Sequence, residues 1–97
     1  NSSAASDVYK RQGKILEINK GMQTSLHYHV KKKETLYIFE GTLNVELLNG
    51  KVVVVRSGES ITFNPGDIHR LKAVDNVKIF EVSTPQLNDV FRMKDDY

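Results

Sequence analysis

Two histidines one residue apart, His27 and His29, followed by Glu34 and framed by Gly21 and Gly41, are the residues of this chain best suited to chemistry. In an extended strand the side chains at i and i+2 point to one face, so both imidazoles enter the same space while Tyr28 points the other way. Glu34 lies far enough beyond His29 for the chain to bend and return on a neighbouring strand. The only other histidine of the chain, His69, follows a second turn, Pro65-Gly66-Asp67. Together they offer imidazole nitrogens and a carboxylate oxygen, a donor set for one divalent ion: manganese, iron, cobalt, nickel or zinc. The bland reading is a metal-free core of hydrogen-bonded histidines. That every histidine falls in this pattern favours the metal.

The elements that must position these side chains are short strands. From Gly13 onward, Lys14 to Asn19 carries Ile15, Leu16 and Ile18, and Lys20-Gly21 punctuates it as a turn. His27 to Val30 reads as the next strand, and Lys31 to Lys33 as a solvated loop. Thr35 to Glu40 is β-branched and aromatic on both faces, as in a strand packed on two sides. Thr42 to Leu48 alternates, and Asn49-Gly50 predicts a tight type I′ hairpin into Lys51 to Arg56. Ser60 to Asn64 gives a short strand, and the Pro65-Gly66-Asp67 turn delivers His69. Leu71 to Val74 and Val77 to Ser83 read as a final hairpin about Asp75-Asn76. Thr84-Pro85 marks a helix start, with one helical turn expected over Gln86 to Phe91. Many short strands with Gly and Pro turns imply an all-β sandwich or barrel of two antiparallel sheets.

Composition narrows the setting. A chain of 97 residues, 39% of them hydrophobic, makes a single small domain with a modest core. Residues 1–12 are Ser/Ala-rich without a sustained period and read as a non-native or disordered leader, leaving 13–97 as the domain. With no cysteine, neither a disulfide framework nor a zinc–thiolate site is available. A net charge of +2, dispersed along the chain, gives no footprint for nucleic acid. No apolar run reaches the length of a bilayer and no signal peptide is visible, so a cytoplasmic protein away from membranes is expected.

The spacing resembles the cupin superfamily, whose motifs are Gly-x5-His-x-His-x3-4-Glu-x6-Gly and Gly-x5-Pro-x-Gly-x2-His-x3-Asn. Gly21, His27, His29, Glu34 and Gly41 fit the first, and Gly58, Gly66 and His69 fit the second. Asn64 and Ala73 depart from it, and neither is at a metal-ligand position. The resemblance implies a double-stranded β-helix, a jelly-roll barrel, with the metal inside. More narrowly, Lys14 to Ile18, Ser25 to His29, Pro65 to Arg70 and Glu81 to Pro85 look like small sugar-isomerase-type cupins related to the metal-dependent mannose-6-phosphate isomerases. That implies aldose–ketose isomerisation of a sugar or sugar phosphate.

Such a reaction needs a base to carry a proton between neighbouring carbons, and Glu81 is the candidate. It lies between Phe80 and Val82 and shares a strand face with Ile79. In apolar surroundings its pKa should rise toward neutrality. Other readings are an iron-dependent dioxygenase using the same donors, or a sugar-binding or regulatory module that catalyses nothing. The last gains if Glu81 points away from the metal. Alternation sets Arg70 on the face opposite His69, toward a structural acid. Tyr28, Tyr37 and Phe39 face outward, and apolar outer faces on so small a domain imply a homodimer, which a monomeric mass by light scattering would contradict.

Overall fold

Alternation along each strand decides which residues meet. In Thr42–Leu47 and Val77–Ser83, alternate residues turn inward: Leu43 and Val45 are buried in the first, and Val77, Ile79, Glu81 and Ser83 in the second. Facing elements supply the remaining walls, and Leu36, Ile38, Leu43, Val45, Val55, Phe63, Leu71, Ala73, Val77 and Ile79 close into one apolar core. The computed structural model describes residues 12–84 and 90–93. Its strands are β1 (Gln12–Ile18), β2 (His27–His29), β3 (Glu34–Glu40), β4 (Thr42–Leu47), β5 (Val52–Arg56), β6 (Ser60–Phe63), β7 (His69–Ala73), β8 (Val77–Ser83) and β9 (Val90–Arg92). They form two antiparallel sheets, ordered β1-β8-β3-β6 and β5-β4-β7-β2-β9. No helix among the described residues is long and apolar enough to cross a membrane.

Four local expectations are corrected. Asn49-Gly50 does join β4 to β5, but through a three-residue loop. Gly50 N–H donates to Leu47 O at 2.9 Å and Leu47 N–H to Lys51 O at 2.8 Å, with Gly50 at φ +83°. A single left-handed glycine closing such a loop serves as well as the two positive-φ residues of a type I′ turn. Second, β7 and β8 do not pair with each other. β7 pairs β4 and β2, whereas β8 pairs β1 and β3, so the Asp75-Asn76 turn carries the chain between sheets. Third, Val90 and Phe91 belong to a strand, not a helical turn. The edge of β2 supplies a ladder, and Phe91 stacks on Tyr28 with centroids 5.5 Å apart. Thr84 Oγ1 accepts from Lys33 N at 3.1 Å. Pro85 and the rest of the expected turn lie outside the described residues, as do residues 1–11, whereas Gln12 opens β1 opposite Ser83.

The fourth correction concerns β3. Leu36 and Ile38 are buried, but Tyr37 and Phe39 are 41% and 43% exposed, so this strand packs on one side only. With Ile15 and Phe80 they form an apolar outer face.

The passage between sheets has a tight point. Gly41, at φ +86°, turns β3 into β4 against the Asp75-Asn76 crossover, and Thr42 N–H donates to Asp75 Oδ1 at 2.7 Å. A Cβ on Gly41 would come 2.4 Å from the Asn76 carbonyl oxygen, whereas one on Gly50 would meet nothing within 4 Å. Both substitutions incur left-handed strain of about 1–2 kcal/mol, but only Gly41→Ala must also push backbone aside. Urea unfolding should therefore show G41A losing at least about 1 kcal/mol more stability than G50A. Equal losses would show the crossover to be loosely packed.

Candidate metal centre

The four residues singled out by spacing converge inside the barrel. His27 and His29 alternate inward from β2. His27 stands directly opposite His69 on β7, which brings distant parts of the chain into one row. Glu34 reaches in from the start of β3, in the facing sheet. One ligand atom from each of His27, His29, Glu34 and His69 lies within 4.8 Å of all the others. Glu34 Oε2 is 2.9 Å from His29 Nε2 and 3.5 Å from His69 Nε2. His29, Glu34 and His69 are buried, and His27 is partly so.

Neighbouring groups fix the rings. His27 Nδ1 is 2.8 Å from Ser25 O, and His69 Nδ1 is 2.9 Å from Asp67 O. A carbonyl only accepts, so each Nδ1 carries a proton, which orients the ring with Nε2 toward the cluster as a metal ligand requires. Phe63 lies flat on His69, with centroids 3.7 Å apart and ring planes 5° from parallel. The Pro65-Gly66 turn is tied to the same place, because Gly66 N–H donates to His29 O at 2.6 Å.

Charge follows burial. Burial pushes the His27 pKa down, and the nearby His69 and His29 push the same way against the Ser25 carbonyl. A neutral imidazole is the form that ligates. Burial would raise Glu34, but the His69 hydrogen bond and the charges of His29, His69 and Lys32 outweigh it and hold its pKa at about 2. An ionised carboxylate is the form that ligates a divalent ion.

A cavity of about 440 Å³ opens on this cluster. Leu16, Leu36 and Leu71 give it apolar walls, while Lys14, Lys32, Glu81 and Arg92 bring charge. Glu81 is buried on the same face of β8 as Ile79. Burial and the Glu34 carboxylate raise its pKa, against the opposing pull of Lys32 and Lys14. Arg70 faces away from the cavity; its guanidinium donates to Thr24 O at 3.1 Å and lies 3.5 Å from Glu46 Oε1.

Sequence reasoning missed Lys32. It is no solvated loop residue: its Nζ lies 3.4 Å from Glu81 Oε2 and its side chain is 13% exposed. Nothing in a run of three lysines says which one turns inward. Arg92 was hidden by the helical expectation for its neighbours. Lys14 was readable, because alternation sets it on the face shared by Leu16 and Ile18.

Facing antiparallel sheets closed on one core define a double-stranded β-helix, here with a cluster of histidines and a carboxylate between the sheets. The sequence pattern of the cupin domain family matches residues 14–83, and the chain belongs to that family. No curated protein matches the chain in sequence. Among solved structures, an uncharacterized conserved protein with a double-stranded β-helix domain from Klebsiella pneumoniae superposes with a TM-score of 0.77 at 16% identity, covering 87% of this chain and 75% of that one. Ectoine synthase from P. lautus gives 0.74 at 17%, covering 94% and 74%. Salicylate 1,2-dioxygenase from Pseudoaminobacter salicylatoxidans gives 0.70 at 19%, covering 76% of this chain but 20% of that one. At such identities these likenesses concern the fold alone.

The depressed Glu34 pKa has a consequence for the metal-free protein. A carboxylate at 4.5 when unfolded and about 2 when folded contributes stability above pH 4.5, and this is lost as the pH falls toward 2. In urea unfolding without metal, E34Q should be less stable than wild type at about pH 6, and the gap should close at acid pH. A gap independent of pH would contradict the ionised Glu34.

Proposed function

We propose that this cupin is a metal-dependent isomerase of a sugar or sugar phosphate, of the mannose-6-phosphate isomerase type. His27, His29, Glu34 and His69 hold one divalent ion, and Glu81 is the base. The observation that carries this reading is the position of Glu81, a buried carboxylate facing the candidate ligands with its pKa raised by burial.

A divalent ion, when bound, supplies Lewis acidity toward a substrate carbonyl and stabilises negative charge developing on its oxygen. The chain's own residues do the rest. The Glu81 carboxylate takes the proton from the hydroxyl-bearing carbon beside the carbonyl and returns it to the former carbonyl carbon, while the proton of that hydroxyl passes to the former carbonyl oxygen, which converts aldose to ketose. A raised pKa keeps it competent to hold that proton between the two steps. Lys32, 3.4 Å away, orients the carboxylate and opposes its protonation, so base and acid forms both stay accessible. Leu16, Leu36 and Leu71 limit water around the transferred proton.

The test uses the metal-loaded protein against a panel of aldoses, ketoses and their phosphates, with mannose 6-phosphate included. Glu81→Gln keeps the shape of the site and removes the base. It should lower turnover by about 10²- to 10⁴-fold while metal content stays at the wild-type level. Full turnover in E81Q would remove Glu81 from the mechanism. Oxygen consumption by the iron-loaded protein in place of isomerisation would point to a dioxygenase.

A further inference from the structure

The cavity that opens on the candidate ligands carries more positive than negative side chains. Among the described residues lining it, Lys14, Lys32 and Arg92 are cationic, and Glu34 and Glu81 are acidic. A divalent ion at the cluster would raise the excess from one positive charge to three. Offsetting the two buried carboxylates explains part of this and leaves a surplus even before a metal is considered.

The cations reach the cavity from separate elements. Lys14 stands directly opposite Glu81 on β1, and Arg92 directly opposite His27 on β9. Opposed residues of an antiparallel pair project to the same face with Cβ atoms about 5 Å apart, so both cations share a face with the groups at the centre. β1 and β9 are each the edge strand of their sheet. The loop between β2 and β3 adds Lys32 against Glu81. Lys14 and Arg92 are exposed, whereas the candidate ligands lie deeper. A molecule seated between them would meet the ion at one end and cationic side chains at the other. The guanidinium matches the paired oxygens of a carboxylate or phosphate, and the lysine ammonium adds a point charge.

We propose that Arg92 and Lys14 are substrate-selecting residues, and that the substrate is a small metabolite with a metal-chelating oxygen pair at one end and a carboxylate or phosphate at the other. The inference rests on the metal-centre reading and narrows its substrate class to anions. A neutral sugar would offer these cations no charge of its own.

Binding, not turnover, tests it. The full chain loaded with cobalt(II) is titrated with glycerol, the corresponding dihydroxybutyrate, and the phosphate monoester of glycerol. These share a vicinal diol and differ in the distal group, and binding is read from the visible absorption of the cobalt. The acids should bind at least about tenfold more tightly than glycerol, with the carboxylate and phosphate arms ranking the two oxyanions. R92Q and K14Q should each weaken the preferred acid by about three- to tenfold, with cobalt affinity and glycerol binding unchanged and R92K recovering part of the loss. Equal affinities across the three probes would overturn the inference, as would wild-type affinity for the acids in the K14Q/R92Q double variant. If a variant fails to fold, the wild-type series and its loss of anion affinity with added salt still decide. A chain that takes up no cobalt contradicts the metal-centre reading instead, and this inference falls with it.

Discussion

The opposition of His27 and His69 across β2 and β7 is the contact on which the site depends. β2 has only three residues and lies between β7 and β9, so its register is set by its neighbours. A one-residue slip would turn both of its histidines to the outside and bring Tyr28 in. The Phe63 ring on His69, the Gly66 to His29 hydrogen bond and the Tyr28–Phe91 stack all act against that slip. The barrel aligns donors that are distant in sequence, and those donors occupy interior positions that the rest of the core fills with Val, Leu and Ile.

That substitution of polar for apolar groups has an energetic logic. Burying imidazoles and carboxylates without partners is unfavourable by several kcal/mol on a rough scale. The protein offsets part of this internally, through carbonyls on two ring nitrogens, Glu34 between His29 and His69, and Lys32 against Glu81. Imidazole nitrogens and the Glu34 carboxylate still converge on one place, and a dication there would satisfy all of them together. The same cavity places a proton-holding carboxylate on one wall and cations at its edge. One compact geometry therefore accounts for the metal, the base and the anionic substrate we propose.

How much of this was legible depended on whether the information is local. Alternation along Thr42–Leu47 and Val77–Ser83 says which face is buried, and so the inward placement of Glu81 beside Ile79 could be read directly. The motif spacing of His27, His29, Glu34 and His69 identified the cluster because the barrel repeats the same register wherever it occurs. Sheet membership is a different matter. Nothing in Leu71 to Ser83 distinguishes a hairpin from a crossover, since the deciding contacts of Asp75 and Asn76 are with Gly41 and Thr42, far away in the chain. Lys32 escaped for the same reason, because Glu81 lies on a distant strand, and Arg92 escaped because the chain that pairs it opposite His27 reads as a helical turn.

If His27, His29, Glu34 and His69 together hold a metal ion, the purified protein retains it. Purified protein is equilibrated in turn with manganese, iron, cobalt, nickel and zinc, desalted, and analysed for retained metal, with His69→Ala in parallel. About one ion per chain should remain for at least one of these metals, and little or none in H69A that is still folded. No retained metal under any condition, or the same content in H69A, would contradict it.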